Sequence, residues 1–519
     1  MRFKILIFSF FISVISIGQT KNLPLNHELN YQFQEQLLTN DTLAHGSMRP
    51  YIESMVGIKE APKEMIDSGL YYYTFTQKLW QQSLFIIKGK DYRITIDPLG
   101  NFRGGHDISD TLRFMVRNSR ALRIQVDLDS NFSFETFIYE NQAKMPRYIA
   151  EYATQTGTLP SEGRVKVSTN GADILDFGVT MGYLSYSPRK NLNFQLGHGK
   201  QFVGNGYRSM ILSDYSFNHP YIKSTWNFGK GKFQYSSTFT QLSSVIRLPE
   251  ATTPEATFKE KFGNLHYLTF KPNSKFEIGI FEGGLFRSYV DSVGTVPLHF
   301  SAYSPILGTS LALNGFESEN NVVLGVNLSY QIAKKVQLYG QVLIDNPAES
   351  KLGFQGGVKS FNSFGIDNLY LQFELNHALP YTYTTSETDA LQTWSHMSAP
   401  MAHPFGANFT EFVGIAYYEK KKYFAQLKVS SGIINSIGEG YSNNLLYADE
   451  VAAGDMDDAR KIYNNVQELY VGHRFNIKTN LTGFISIRNR VHAEKSRVTN
   501  STFISVGMRT NLNNLYYDF

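Results

Sequence analysis

Five stretches of the chain alternate apolar and polar residues with a period of two, and no other feature constrains the fold as strongly. In segment 321–331, Leu324 and Val326 fall on one face of an extended chain, while Asn327 and Ser329 fall on the other. Successive side chains of a β-strand point to opposite sides of a sheet, so the pattern predicts strands with one apolar face. The same alternation occurs in four other segments: 174–187, 231–241, 368–376 and 421–431.

The lengths of the connections indicate how these strands are arranged. About 18 strands are predicted, at 90–97, 119–128, 131–140, 174–187, 191–199, 220–228, 231–245, 263–271, 274–288, 321–331, 334–345, 352–360, 368–376, 408–418, 421–431, 466–476, 480–488 and 501–512. Nearly every second connection is tight, as at Asp129-Ser130 and Gly229-Lys230. The other connections are mostly long, as at 141–173, 200–219, 289–320, 377–407 and 432–465. Short turns on one rim and long loops on the other are typical of an outer-membrane barrel, whereas a soluble sandwich has no reason to sort its loops this way.

The predicted fold class is therefore all-β, an antiparallel outer-membrane β-barrel of about 18 strands that occupies residues 90–519. An even number of strands places both termini on the short-turn side, which is expected to be periplasmic, and makes the long loops extracellular. The apolar faces contact lipid, so Phe177 and Val326 are expected to face the membrane. The polar faces line the lumen at positions such as Arg123, Gln125, Asp127 and Gln234.

Composition excludes several other classes of protein. The mean hydropathy of −0.26 is too polar for a bundle of transmembrane helices, each of which needs about 20 apolar residues. Aromatic residues make up 14% of the chain, and the formal net charge is only +4, which does not suit a disordered chain. The chain has no cysteine, so disulfides, thiol catalysis and cysteine-ligated metals are excluded. A soluble all-β protein and a membrane barrel both fit these numbers.

The first 18 residues have the pattern of a secretory signal peptide. Arg2 and Lys4 precede the apolar run 5–17, and the small residues Ser16 and Gly18 suit a cleavage site. The alternative, a membrane anchor, needs a longer apolar run. Removal of residues 1–18 lowers the net charge of +4 by two, so no electrostatic argument for binding nucleic acid remains.

Residues 19–89 lack the alternation of the later chain. An apolar stripe with helical spacing begins the segment, at Leu25, Leu29, Phe33 and Leu37. A second short helix is predicted around 75–86. We predict a partly helical periplasmic extension, which either packs under the barrel, enters its lumen or simply connects it to the leader.

The chain ends in aromatic residues, the last of which is Phe519. A terminal phenylalanine after aromatic residues resembles the C-terminal signal that the barrel-assembly machinery recognises. The sequence therefore predicts that this machinery is a partner during biogenesis.

Motifs of enzymes are absent from the sequence, including the nucleophile elbow, the zinc-protease helix and the nucleotide-binding phosphate loop. Segment 204–209 begins like a dinucleotide motif, but Ser209 replaces its last glycine. The acidic stretch 449–458 offers oxygen ligands for calcium, although it lacks the spacing of a calcium loop and is better interpreted as solvated. We predict no catalytic residue, cofactor or metal site.

Segment 376–411 is the richest candidate for ligand binding. Its aromatic rings could stack on sugars and its polar groups could bind sugar hydroxyls. The candidate glycan-binding residues are Tyr381, Tyr383, Trp394, His396 and His403. The alternative is that these side chains fold the loop into a cap over the barrel mouth, and a histidine metal pair is a weaker alternative still.

The same stretches resemble the Wzi-type capsule assembly family of outer-membrane barrels, and most closely its branch of RemB gliding-motility proteins. The resemblance is carried by 204–209 with 212–214 and 220–221, by 338–341 with Asp345 and 368–369, and by 380–383 with 402–409. It implies an 18-stranded barrel with a helical periplasmic N-terminal part, and a non-enzymatic protein that holds capsular polysaccharide at the cell surface. The RemB branch further implies a link to surface gliding.

Three functions are therefore expected, in decreasing order of support. The first is a non-enzymatic outer-membrane barrel that binds or organises surface polysaccharide, or supports gliding motility and surface adhesion. The second is a porin or transporter for small polar solutes, because the predicted lumen is polar. The third is a barrel enzyme, for which no constellation of catalytic residues is found.

Overall fold

Eighteen long antiparallel strands form one closed barrel. They are β1 (Tyr92–Asp107), β2 (Phe114–Leu128), β3 (Phe132–Lys144), β4 (Ile174–Arg189), β5 (Leu192–Gly199), β6 (His219–Phe228), β7 (Phe233–Arg247), β8 (Phe258–Phe270), β9 (Phe276–Arg287), β10 (Asn321–Ala333), β11 (Val336–Asn346), β12 (Lys351–Ser360), β13 (Leu369–Ala378), β14 (Phe409–Lys420), β15 (Tyr423–Ser436), β16 (Arg460–Asn476), β17 (Leu481–Glu494) and β18 (Arg497–Arg509). Each strand pairs with its neighbours in sequence, and β18 pairs with β1 through residues such as Ile504 and His106. Closure leaves no free sheet edge.

The computed structural model describes residues 20–40, 42–58, 76, 80, 82–110, 114–167, 174–249, 258–316, 319–384, 392–436, 460–494, 497–510 and 514–519. The predicted signal peptide at 1–18 and the acidic stretch 449–458 lie outside these residues. Among the described residues, no helix is long and apolar enough to cross a membrane.

The predicted strands are all present, and the prediction of about 18 strands is confirmed. The largest error is in the first strand, which was predicted at 90–97 and runs to Asp107. Pro98 and three glycines interrupt the alternation in its second half. At Gly105 a Cβ atom would lie 2.5 Å from the carbonyl oxygen of Ile504 on β18, so the glycine permits the close approach that closes the barrel.

The connections alternate in length mostly as predicted. Tight turns join β2 to β3, β4 to β5, β6 to β7, β8 to β9, β10 to β11, β14 to β15 and β16 to β17, and the longer connection 361–368 joins β12 to β13 at the same rim, so β1 begins and β18 ends at this short-turn rim. On the opposite rim two connections are short, at 347–350 and 495–496. The connections that leave from the opposite, long-loop rim contain most of the irregular elements. These include the helix α3 (Arg147–Thr156), a 3₁₀ turn at Phe300–Tyr303, the helix α4 (Thr309–Asn314) and a small hairpin, Ser395–His396 with Ala399–Pro400.

The outer surface of the wall is apolar. On β10, Leu328 and Tyr330 are 41% and 50% exposed, whereas Asn327 and Ser329 on the other face are buried in the lumen. Near the short-turn rim, outward aromatic rings touch one another across strands, from Trp226 and Phe228 through Phe233 to Phe270. An apolar band with aromatic residues at its border is what a bilayer-spanning barrel requires.

One face assignment was wrong. Leu175, Phe177 and Val179 on β4 point into the lumen, where Phe177 is 4% exposed. The Phe177 ring lies under the Arg117 guanidinium, 5.6 Å from its centroid, in an apolar cluster that includes Ile149 of α3. Alternation alone cannot say which face is inside, and here the lumen contains a helix that an apolar wall can pack against. The positions predicted to face the lumen, Arg123, Gln125, Asp127 and Gln234, do lie on the inward face.

The N-terminal segment enters the lumen. The helix α1 (His27–Thr39) begins at Asn26, whose side chain caps the Leu29 amide, and it buries the predicted stripe at Leu29, Phe33 and Leu37. Inward-facing residues of the wall contact α1: Tyr370 stacks on Tyr31 at 4.3 Å, and Lys359 donates to Gln34. A short helix α2 (Glu53–Val56) follows. The second helix, predicted at 75–86, is too long, because Phe85–Lys88 is a strand that pairs with β1. Thr76 and Trp80 are helical, and residues 77–79 and 81 lie outside the described part.

Replacing Val326 with Asp should impair insertion of the barrel. Val326 lies on the outward face of β10, and a charge on the lipid face costs about 2–4 kcal/mol near the bilayer midplane for Arg or Lys, and less for Asp. We expect loss of the heat-modifiable band on gels for Val326→Asp and its retention for the apolar control Val326→Leu. Normal migration of Val326→Asp would contradict the assignment of this face.

Candidate functional site

The lumen is occupied by the chain itself, and this filled interior is the most distinctive part of the structure. Segments from the N-terminus, from three loops and from the C-terminus meet there. We call them together the luminal plug; its described residues are 20–40, 42–58, 145–167, 200–218, 379–384, 392–408 and 514–519. Most of their side chains are buried against inward-facing residues of the strands. What the barrel can do depends on how firmly this plug is held.

Polar side chains of the wall hold the backbone of the plug. The Gln341 amide on β11 donates to the Val203 carbonyl (2.9 Å) and accepts from the Met210 N–H (2.8 Å). Glu374 on β13 accepts from the consecutive N–H groups of Tyr207 and Arg208, at 2.8 and 3.0 Å. Buried backbone groups need such partners, so the inward polar face replaces the hydrogen bonds that water would make.

Segment 204–209, which is not a nucleotide motif, forms the centre of the plug. A Cβ atom at Gly206 would lie 2.5 Å from a Glu374 carboxylate oxygen, so only glycine lets the backbone approach that carboxylate. The Arg208 side chain continues from this point into the middle of the lumen, where it is 1% exposed. The glycines and the arginine of segment 204–209 therefore all serve to fix this segment in the lumen.

Arg208 is the centre of a buried ion-pair network. Its guanidinium donates to both oxygens of Glu411 on β14, at 2.9 and 3.2 Å, and lies 3.3 Å from Asp518 near the C-terminus. Lys428 on β15 lies 3.0 Å from the other oxygen of Asp518. All four groups are enclosed, so each charge is stabilised by the others and not by water.

The C-terminal residues lie inside the lumen and not on the last strand. Strand β18 ends at Arg509, and the aromatic residues 516, 517 and 519 are buried. The Tyr517 hydroxyl donates to Glu162 at 2.9 Å, and the Phe519 ring lies 5.0 Å from that of Tyr152 on α3. Recognition of Phe519 by the barrel-assembly machinery stays a prediction.

Two of the predicted glycan-binding residues pack in the middle of the plug. Trp394 is fully buried, and its indole N–H donates to the Ile211 carbonyl at 2.9 Å. Tyr383 is 1% exposed, and its hydroxyl donates to the Met210 carbonyl at 2.7 Å. Both side chains are engaged within the chain. Tyr381 differs, because it is partly exposed and its backbone adopts a left-handed φ of 60°.

The two predicted histidines are buried in similar surroundings. His396 accepts the Ser243 N–H at Nδ1, and its Nε2 lies 3.2 Å from the Asn218 carbonyl. His403 accepts the Phe405 N–H at Nδ1 and places Nε2 2.6 Å from Glu411. Nδ1 carries no proton in either ring, so both imidazoles are neutral. Burial lowers the pKa of both histidines below its usual range.

No group of three or more side chains suited to hold a metal ion occurs among the described residues. A residual cavity of about 90 Å³ remains beside α1 and the C-terminal segment. Its wall carries Arg103, Lys428 and Arg488 with Glu468 as a counter-ion. Arg103 lies in the part of β1 where the alternation is interrupted, and its place beside the others depends on the pairing of β1 with β18, which the sequence pattern alone does not reveal.

No known family profile matches the sequence, and no curated protein is similar to it. Solved structures do match. Wzi of Escherichia coli, an outer-membrane protein involved in group 1 capsule assembly and described as a carbohydrate-binding β-barrel, superposes with a TM-score of 0.56. The match covers 95% of this chain and 100% of Wzi at 12% identity. That identity is too low to show more than a shared fold, which is an 18-stranded antiparallel barrel of the outer-membrane type.

Two further solved structures match less well. OpdK of Pseudomonas aeruginosa, solved with vanillate, has a TM-score of 0.44 at 8% identity, over 80% of this chain and 98% of OpdK. OccAB2 of Acinetobacter baumannii has a TM-score of 0.42 at 11% identity, over 82% of this chain and 100% of OccAB2. These similarities are too low for any inference about this chain.

Replacing Arg208 with Ala should loosen the plug. The change leaves Glu411 and Asp518 buried with fewer partners, and removal of one member of a buried ion pair typically costs about 3–5 kcal/mol. We expect a lower unfolding midpoint in detergent and faster proteolysis of the plug. The control is Arg147→Ala: its side chain is 64% exposed and pairs with Asp110, so its removal should cost at most about 1 kcal/mol. Equal effects of the two changes would contradict the role given to Arg208.

Stability should fall as the pH drops below about 6.5. His396 stays neutral in the folded protein because its pKa is lowered, whereas in the unfolded chain it takes up a proton near pH 6.5. The unfolded state then binds more protons, and acid favours unfolding by up to about 2 kcal/mol at pH 5 for one such group. His396→Gln, which keeps a donor at the end of the side chain, should reduce the difference in unfolding free energy between pH 7 and pH 5. An unchanged difference would exclude His396 as the source.

Proposed function

We propose that this chain is a non-enzymatic outer-membrane barrel that binds or organises polysaccharide at the cell surface, or supports surface gliding and adhesion. The observation that carries the proposal is the filled lumen. Because the plug occupies the interior, where Gln341 and Glu374 bond its backbone and Glu411 pairs with Arg208, the surface left for a partner is at the rims. A barrel of this kind serves as a fixed platform in the membrane.

The likeness to Wzi supports a polysaccharide as that partner. Wzi is described as a carbohydrate-binding barrel involved in capsule assembly, and its fold matches nearly the whole of this chain. Membership of the Wzi-type family and of its RemB gliding branch is part of the proposal, as is export by a signal peptide. In this proposal the long loops face the cell exterior, and both termini lie on the periplasmic side.

The long-loop rim offers a polar surface to such a polymer. The helix α3 buries Tyr148 and Ile149 in the plug and exposes Glu151, Thr154 and Gln155. Hydroxyl, amide and carboxylate groups can bind sugar hydroxyls, and a partly exposed ring such as that of Tyr381 can stack on a sugar face. We propose that these residues make direct contacts, while Tyr383, Trp394, His396 and His403 hold the loop in place beneath them.

The proposal is tested by measuring whether the purified barrel binds the capsular polysaccharide of the cells that produce it. We expect the purified barrel to bind it, and the combined change Glu151→Ala, Thr154→Ala and Tyr381→Ala to weaken binding about tenfold or more, a loss of roughly 1.4 kcal/mol. The control Lys420→Ala alters an exposed residue at the end of β14 on the short-turn rim and should leave binding unchanged. Binding by the parent but equal binding by the combined variant would place the contact elsewhere. Failure of the parent to bind would count against a polysaccharide.

A solute channel is the alternative function, favoured by the charged cavity at Arg103, Lys428 and Arg488. Conductance in planar bilayers distinguishes the two. We expect no steady channel from the parent barrel and measurable openings from Arg208→Ala, whose plug is loosened. A steady open channel in the parent would instead favour transport.

A non-enzymatic role is likewise tested directly. Hydrolysis of a surface polymer that is lost on His396→Ala or His403→Ala, in variants that remain folded, would contradict it. Deletion of the gene separates the two cellular roles, because capsule retention and gliding can be scored independently. Unchanged capsule together with unchanged gliding would contradict both.

A further inference from the structure

Three polar residues on the outer face of the wall are buried, although the outer face of a membrane barrel should be apolar. Asn264 and His266 on β8 point outward, since their neighbours Leu265 and Tyr267 contact the plug. Glu282 on β9 also points outward and pairs with His266 across the strands. Their exposed fractions are 2%, 0% and 1% respectively. Something on the outside of the barrel therefore covers them.

The cover is part of the long loop between β9 and β10. We call residues 296–316 the external strap; it includes the 3₁₀ turn Phe300–Tyr303 and the helix α4. The Asn264 amide donates to the carbonyls of Ser301 and Ser304, at 3.1 and 2.7 Å. The strap thus leaves the long-loop rim and runs back along the outer wall.

Glu282 holds the next part of the strap. Its carboxylate accepts the N–H groups of Gly308 and Leu311, at 2.5 and 2.8 Å, at the start of α4. Further down the wall, the outward Tyr235 hydroxyl donates to the Pro305 carbonyl at 2.6 Å. The polar groups of the wall and the backbone groups of the strap therefore satisfy one another.

The strap covers a part of the wall that lies within the apolar band of the barrel. Glu282 is six residues along β9 from Phe276, at the short-turn end of the strand. At about 3.3 Å per residue and a strand tilt near 40°, this places Glu282 roughly 15 Å above the aromatic border of the apolar band. The apolar band of such barrels is about 25 Å tall, so the covered residues fall inside it.

The outer side of the strap is apolar. Phe300, Tyr303 and Ile306 are 66%, 64% and 65% exposed. The Tyr303 ring stacks on the outward Phe239 of β7 at 5.5 Å, so the apolar surface of the strap continues that of the wall. Large apolar side chains so exposed beside a membrane-spanning wall fit lipid and not water.

We propose that the external strap is embedded in the apolar part of the bilayer, where Phe300, Tyr303 and Ile306 contact lipid acyl chains while Asn264, His266 and Glu282 are masked beneath it. Non-helical backbone is tolerated at bilayer depth only where its polar groups have protein partners, and the wall supplies them here. The strap therefore adds lipid-facing surface to the barrel beside strands β7–β10. This inference depends on the barrel spanning a membrane, but not on binding of polysaccharide.

Spin labels test this proposal, because the chain contains no cysteine to remove. Spin labels attached at Tyr303→Cys and Ile306→Cys in proteoliposomes report how often the label collides with two reagents. These are oxygen, which concentrates in lipid, and a water-soluble nickel chelate. Ile222→Cys on β6 is the lipid control, since Ile222 is 61% exposed and pairs with Phe239. Val293→Cys, 72% exposed in the turn at the rim, is the aqueous control.

We expect the labels at 303 and 306 to behave like that at 222, with several-fold less collision with nickel than the label at 293. Nickel access equal to that at 293 would overturn the proposal. Exclusion of both reagents, as under a protein partner, would also overturn it. If the label at position 222 is itself accessible to nickel, the proposal that the barrel spans a membrane is contradicted as well. Absence of polysaccharide binding alone does not affect the proposal about the strap.

A second variant tests what holds the strap. Glu282→Ala removes the acceptor for the N–H groups of Gly308 and Leu311, whereas Glu282→Gln keeps one. We expect Glu282→Ala to raise nickel access at position 306 several-fold and Glu282→Gln to have a smaller effect. No change with either variant would contradict the anchoring of the strap by the wall.

Discussion

The interior of the barrel depends on the buried pairing of Arg208 with Glu411 and Asp518. An unpaired charge in such an environment costs several kcal/mol, so these three side chains are stable only together. They belong to a loop, to β14 and to the C-terminal segment, and their pairing fixes those three parts of the chain relative to one another. The hydrogen bonds of Gln341 and Glu374 then position the backbone around Arg208.

The same rule operates on both surfaces of the wall. At two places a strand presents a carboxylate away from water, and a loop returns to cover it. Inside, Glu374 receives the backbone of 207–208; outside, Glu282 receives that of the external strap. In both cases a carboxylate on a strand accepts hydrogen bonds from backbone N–H groups of a loop. The strands of the wall therefore help to determine the path of the loops.

The sequence predicted the strands and their order well, because alternation and turn length are local properties. The strand pattern at 321–331 and the parity of the turns were sufficient for that. The apolar inner face at Phe177 was missed, since it depends on α3, a helix inside the loop 141–173 that was predicted only as a long connection. The aromatic and histidine residues of 376–411 were recognised as unusual, but the sequence could not show that Trp394 and His396 would be enclosed. Their partners, Ile211 and Asn218, lie about 180 residues earlier.

The position of the C-terminal segment has a consequence for the time course of folding. Arg208 and Asp518 are 310 residues apart in sequence, and Tyr148 and Tyr517 are 369 apart. Contacts of such separation form slowly, because a long stretch of chain must be ordered before they contribute. The contacts at the middle of the interior are therefore expected to form late, after the C-terminal segment has entered the lumen. Until then Arg208 has only Glu411 as its counter-charge, because Asp518 belongs to that segment.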